Sequence, residues 1–377
     1  MRTKYSIALV NKQWHSCVLR YLYETIWISR SSQAKVLAKT LASQGMEWKP
    51  RCGHHIRHLH IDTPFFDRCP LLALYIILQH SPFLVVFMDH QSVGWSTVFE
   101  LLTRPGNRIR QLLWTSYDER PFHLDILSPL LSQPILLEYL EISSSVPNTA
   151  TTHPDMTRPI YIILPHLRTL KVTLDNATLS VLTAWDLPSL THLSIISADF
   201  SYAGHGFQAF LERHGVKIIQ LELGYGLSHA NYHLNDPHPL GREISTRMAE
   251  WCPHLKQFIC DPDLDHGWQP PNWIPGHLFL HSHPTLTLIG LRDFDQCLHV
   301  SSPTSLSDNL SSVLEQVCSL LAPEAFPNLR FFQAMVKFWS SVRQICGSRG
   351  VWLEDHAGVN ITRNSLKLWV RGHNKLG

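Results

Sequence analysis

His54, His55, His58 and His60 form the densest group of metal-competent side chains in the chain. A zinc-type site needs three or four such donors converging at about 2.0–2.1 Å on one ion. On a strand His58 and His60 share a face, which permits a two-ligand arrangement. No H-E-x-x-H phrase, no third ligand at a recognisable spacing and no C-x-x-C pair accompanies them. They are expected to be outward-facing strand positions, and no metal is expected. Asp261, Asp263 and Asp265 alternate as a calcium loop would, but Pro262 and the absent glycine and glutamate positions break that pattern, leaving a solvated loop. Gly204-His205-Gly206 precedes a helical pattern without the rest of a phosphate loop, and neither G-x-S-x-G nor G-x-x-x-x-G-K-[ST] occurs. Gln269 to Pro275 reads as a rigid proline loop. The sequence therefore predicts neither a catalytic centre nor a cofactor.

Composition narrows the remaining classes. With 377 residues, 44% of them hydrophobic, the chain can bury a large core. Its 32 Lys and Arg nearly balance 30 Asp and Glu, and no basic block could track a phosphate backbone, which argues against nucleic acid. Charged residues are only 16%, against roughly 25% in an average domain, so much of the surface is neutral and open to coverage by a partner. The apolar stretch from Leu71 to Met88 is interrupted by Gln79, His80, Ser81 and Pro82, too soon to span a bilayer. The N-terminus lacks a secretory pattern, and the eight cysteines form no C-x-x-C pair. Reduced, buried thiols in the cytoplasm or nucleus are the expectation.

One phrase organises the chain. Leu164-Pro165-His166-Leu167-Arg168-Thr169-Leu170-Lys171-Val172 returns as Leu187-Pro188-Ser189-Leu190-Thr191-His192-Leu193-Ser194-Ile195, and again from Cys252, His283 and Phe326. Proline-free versions begin at Ile56, Ile109, Leu137 and Ile218, and Ser81-Pro82-Phe83-Leu84 starts another. Steps between first aligned apolar positions run from 23 (Leu167 to Leu190) to 43 (Leu286 to Leu329). That is leucine-rich-repeat spacing with insertions.

In L-x-x-L-x-L the last two apolar residues sit two apart, as in a strand with one buried face, and the first anchors the turn into it. Helical patterns return the chain: Phe207, Phe210 and Leu211 end at His214-Gly215, and Ile244, Met248 and Trp251 follow Gly241. The predicted fold is α/β, a leucine-rich-repeat-like solenoid of short parallel strands alternating with helices. Strand positions between the buried ones would line a concave face. They include Tyr139, Glu141, Thr169, Lys171, His192, Ser194, Gln220, Glu222, Gln257, Ile259, Leu288 and Gly290. Taken together this surface is the candidate for binding a partner. Helices around Leu310–Leu321 and Val336–Ile345, with a strand at Val351–Leu353, are expected to cap the C-terminal end.

The segment from Ala8 to Ile28 resembles the second half of an F-box, a helix of the form L-V-x-[KR]-x-W followed by a leucine-tyrosine step and a short strand. The matching residues are Leu9, Val10, Lys12, Trp14, Leu22, Tyr23, Ile26 and Ile28. With the repeats and Gly350-Val351-Trp352-Leu353, the whole chain resembles fungal F-box proteins with degenerate leucine-rich repeats. The resemblance implies a small helical F-box remnant over 1–48 and a solenoid with a helical cap over 49–377. It further implies that Leu9, Val10, Trp14 and Leu22 meet a Skp-type adaptor of a cullin ubiquitin ligase, while the repeats select a target protein. The L-P-x-E-[IL]-L helix that opens the family's F-box does not precede Leu9 here. The alternative is therefore a ligase-independent interaction scaffold, or a shortened, non-functional member.

Overall fold

The computed structural model describes residues 11–43, 52–90, 108–116, 131, 136–144, 161–174, 176–197, 205–225, 247–260, 282–291, 321–334, 346 and 351–354. The chain divides into two compact units, Met1–Leu190 and Thr191–Gly377.

In the first unit, helix α1 (Lys12–Tyr23) leads into strand β1 (Thr25–Ile28), and helix α2 (Ser31–Ser43) follows. Five more strands come in chain order: β2 (His58–Ile61), β3 (Val86–Asp89), β4 (Gln111–Ser116), β5 (Tyr139–Ser144) and β6 (Thr169–Leu174). Each pairs in parallel with the one before it. Helix α3 (Leu71–Gln79) connects β2 to β3, and α4 (Asn176–Leu182) follows β6. Pro70 opens α3 with φ −65°, a value already suited to a helix start. Ala73, Leu74, Ile77 and Leu78 form its buried stripe, and Ala34, Ala38 and Leu41 give α2 a matching one at i, i+4, i+7. The two helices pack together.

The second unit repeats the pattern with β7 (His192–Ser197), helix α5 (His205–His214), β8 (Gln220–Tyr225), β9 (Gln257–Cys260), β10 (Leu288–Leu291), β11 (Phe331–Ala334) and β12 (Trp352–Glu354). All its neighbouring strands are parallel. Helix α5 buries Phe207, Phe210 and Leu211 and stops at His214, as the spacing predicts. Residues 247–251 are helical, with Met248 and Trp251 buried.

The repeat phrase maps onto one local design. Its apolar positions are the core: Ile56, Leu59, Ile61, Leu140, Ile142, Leu167, Leu170, Val172, Leu190, Ile195, Leu221 and Phe258 are all at most 0% exposed. In X-P-x-L the carbonyl of X accepts the N–H of the leucine, at 3.3 Å for Leu164 and Leu167, 3.3 Å for Leu187 and Leu190, 3.0 Å for Cys252 and Leu255, and 3.1 Å for Phe326 and Leu329. Proline at the second place of such a turn supplies the required φ and gives up no needed donor. Gly53 and Gly215 occupy the X place in two proline-free repeats and accept the same bond from Ile56 and Ile218, at 3.1 and 2.9 Å.

Successive repeats are clamped together twice more. Two consecutive N–H groups at a strand entry donate to one carbonyl of the preceding repeat: Arg57 and His58 to Glu24, Val85 and Val86 to Arg57, Glu138 and Tyr139 to Arg110, and Lys256 and Gln257 to Ile219. At the turns, the side chain between proline and leucine reaches back to the previous proline carbonyl. Ser189 Oγ donates to Pro165 O at 2.6 Å, Thr285 Oγ1 to Pro253 O at 3.1 Å and Asn328 Nδ2 to Pro284 O at 2.6 Å. These contacts explain why the x of P-x-L is a short polar residue there: it satisfies a carbonyl that proline's turn leaves open.

His283 takes the X place of its repeat and is fully buried. Its Nε2–H donates to the Cys252 carbonyl at 3.0 Å, and Nδ1 receives the Thr285 N–H at 3.4 Å. A carbonyl can only accept, so these partners select the neutral Nε2–H tautomer. Burial holds the imidazole below its ordinary value of 6.5, against a smaller upward pull from the bond to Cys252. A base depressed in this way contributes stability that is complete above 6.5 and is lost as pH falls from there through the depressed value. His192 and His60 are depressed in the same direction, mainly by burial. The thermal midpoint is therefore expected to fall on acidification from about pH 7.5 to about pH 5.5. His283→Gln, which keeps a donor for Cys252 and cannot titrate, should lose less of its midpoint over that interval than the parent chain. Equal losses would assign the acid sensitivity elsewhere.

Candidate partner-binding face

The side of each strand opposite the buried leucine-type residues carries rows of side chains in register. In the first unit these rows bring Tyr139, Glu141, Thr169 and Lys171 together, because Tyr139 pairs with Thr169 and Glu141 with Lys171 across β5 and β6. Tyr139 Oη donates to Glu141 Oε2 at 2.7 Å, and Lys171 Nζ lies 3.2 Å from Glu141 Oε1. Glu141 is thus held by a phenol and an ammonium at once, with its side chain only 13% exposed. Beside it Ser143 Oγ donates to Thr173 Oγ1 at 3.3 Å, and Arg110 pairs with Glu138 at 3.1 Å near the strand entries. The arrangement presents a polar, pre-oriented surface and no nucleophile paired with a base.

In the second unit His192, Gln220 and Gln257 form one row across β7, β8 and β9, and Ser194, Glu222 and Ile259 the next. His192 Nδ1 and Thr191 Oγ1 are 2.8 Å apart. Ser194 departs from the expectation of an accessible position. It faces the outer side, yet it is 5% exposed and its Oγ has no hydrogen-bond partner. The first row continues onto β10 at Leu288, which is half-buried, and the second at Gly290, which is buried.

The four histidines of the 54–60 cluster separate. His54 sits in the turn Cys52–His55 and packs edge-on against Phe83, with centroids 5.6 Å apart. His58 and His60 do share the outer face of β2, as alternation predicts. Among the described residues no group of three His, Cys, Asp or Glu side chains could hold a metal ion. What alternation alone does not reveal is that His60 lies between Trp27 of β1 and Met88 of β3, its register partners. The signal was present in the aligned phrases: Trp27, His60 and Met88 all stand between the two inward positions of their strands. Asp89 is the opposite surprise, a carboxylate at the inward place where other repeats put Ile61, Trp114 or Ile142, and it is fully buried. Burial, then the charge of Asp89, pushes the Cys69 thiol up to about 12, and burial alone does the same to Cys252. Such thiols stay protonated and unreactive at neutral pH. Among the described residues Cys52, Cys69, Cys252, Cys260 and Cys346 are buried and in no disulfide, and Cys17 is exposed.

For the F-box-like segment, Leu9 and Val10 lie outside the described residues. Trp14 falls in α1, though its side chain lies outside what is described. Leu22 is half-buried on α1, which packs on the turn Cys52–His55, while Tyr21 beside it is exposed. The calcium-like loop from Asp261, the proline loop from Gln269 and the two C-terminal helices also lie outside the described residues. No described helix is long and apolar enough to cross a membrane.

No protein-family model matches the chain, and no curated protein matches it. Several solved structures do match. One is the leucine-rich repeat-containing protein LegL7 from Legionella pneumophila, 15% identical, with 90% of this chain and 76% of that chain covered and a TM-score of 0.37. What decides the fold is the ladder itself, in which the X-P-x-L turns feed short parallel strands and, within each unit, the entries of β2 to β6 and of β8 to β11 are bonded to the repeat before them. The fold is leucine-rich-repeat-like. Within a leucine-rich-repeat-like unit the inward residues are fixed by packing, and the outer rows are the positions left to vary.

Proposed function

We propose that the outer strand face binds a protein and that the chain is the target-selecting subunit of a Skp–cullin–F-box-type ubiquitin ligase, with α1 toward the adaptor. The observation that carries the binding half is the Tyr139–Glu141–Lys171 cluster, a carboxylate fixed by two neighbours on the outer strand face. The phenol and the ammonium fix the carboxylate in place, which suits preorganised recognition, in which the donors and acceptors are ordered before a partner arrives. The adaptor half is supported by the order α1–β1, which places Trp14 and Leu22 on a helix and Ile26 and Ile28 on the strand after it, as the F-box resemblance implies.

Calorimetry of the full chain with a purified Skp-type adaptor tests the ligase half. One-to-one binding in the submicromolar range is expected, and Leu22→Ala with Trp14→Ala should abolish it. A folded sample that gives no heat would remove the ligase role and leave a recognition scaffold without it.

A further inference from the structure

The outer face of β1 and β2 carries an aromatic ring and a carboxylate that the repeat core does not use. Among the described strands β1 pairs with β2 alone. Its outward Trp27 stands in register with His60, and the two rings lie parallel, with centroids 5.3 Å apart and 2° between the planes. The imidazole covers one face of the indole and fixes its orientation. The rest of the ring stays open: Trp27 is 50% exposed, while Ile28 beside it is 1% exposed.

The ladder between these strands runs one residue past β2. His58 N–H donates to Glu24 O at 2.9 Å, and Asp62 N–H donates to Ile28 O at 2.9 Å, four residues further along both strands. Asp62 therefore keeps the alternation of His58 and His60 and stands on the same outer face. It lies one strand and two residues from Trp27, about 8 Å at strand spacing and rise. Asp62 is exposed, and among the described residues its carboxylate has no hydrogen bond or ion pair, with exposed Arg30 included. Arg57 is turned to the Phe83 carbonyl and ring instead. An open indole face and an unpaired carboxylate both attract a cation. A guanidinium is planar, so it stacks on the indole while its outer N–H groups fork a carboxylate, and it spans a separation of this size. We propose that Trp27 and Asp62 form a subsite for an arginine side chain of the target protein. The inference rests on the outer face being the binding surface and adds the chemistry that its β1–β2 end selects.

Selection of a phage-displayed random peptide library on the full chain tests it. The enriched peptides should share one dominant arginine. A labelled synthetic peptide of that consensus, followed by fluorescence anisotropy, should bind about tenfold more weakly to Trp27→Ala and to Asp62→Asn. Replacing its arginine by alanine should remove its sensitivity to both variants. Asp62→Asn changes an exposed, nearly isosteric group, so its thermal midpoint should stay at the parent value and keep the test independent of folding. Selection repeated on Asp62→Lys should replace the arginine by an acidic residue, which a merely structural role for Asp62 would not do. Enriched peptides without a basic residue, or peptides whose affinity responds to Glu141→Lys but to neither Trp27→Ala nor Asp62→Asn, would overturn the subsite and leave the outer face as the binding surface. A folded chain that enriches no peptide would overturn both.

Discussion

Gly53→Ala is expected to destabilise the first unit by about 3 kcal/mol or more, the upper range for forcing atoms into packed backbone. A Cβ built at Gly53 would lie 2.1 Å from the carbonyl oxygen of His80, the residue that ends α3. The obstructing atom is backbone, in the turn where Ser81 N–H donates to Leu78 O at 3.1 Å, and cannot swing aside as a side-chain tip would. The X place of the turn is occupied by buried Leu164, Leu187, Cys252 or Phe326 in other repeats, so its side chain points into the core. Glycine appears where the backbone of the following repeat comes too close for any side chain. Gly215 obeys the same rule, with its Cβ position 2.5 Å from Trp251 O. Urea unfolding should show the lowered midpoint, and hydrogen exchange should place the loss at the amides of β2 and β3. A midpoint within about 0.5 kcal/mol of the parent would mean that the two repeats can separate freely.

Phe258→Ala should cost about 3–5 kcal/mol, the usual result of emptying a fully buried aromatic site. Phe258 is 0% exposed, and on β9 it stands in register between Leu221 of β8 and Ile289 of β10, both also fully buried. Those neighbours are held by main-chain bonds to the repeats on either side, so they cannot collapse into the space. Phe258→Leu leaves a smaller void and should cost less than half as much. If the alanine and leucine variants unfold at the same denaturant concentration, the stacked-core account of this unit is wrong.

These two effects mark what could be read from residues alone. Two-residue alternation after the first apolar anchor of each phrase was enough to assign the inward and outward sides of β5, β6, β8 and β9, because a one-residue slip would have exposed every leucine. It was enough, too, to put Glu141 and Lys171 at the same height, since their phrases align without a gap. Three other features depend on neighbours that no single phrase contains. Gly53 matters because of the His80 carbonyl, Ser194 is buried although it stands at an outward position, and Met88 meets His60 only through strand register. Asp89 shows the limit from the other side: a period-two pattern tolerates one buried carboxylate without announcing it.

The role assigned to the outer face is tested most directly by placing a photoreactive side chain on it. With the cross-linker at Thr169, in the row beside Tyr139, irradiation in cell extract should yield a discrete adduct whose partner can be identified by mass spectrometry. Glu141→Lys should diminish that adduct, and the same cross-linker at exposed His166 in the proline turn should not produce it. Equal adducts from both positions, insensitive to Glu141→Lys in a folded sample, would contradict the assignment of the strand face as the binding surface.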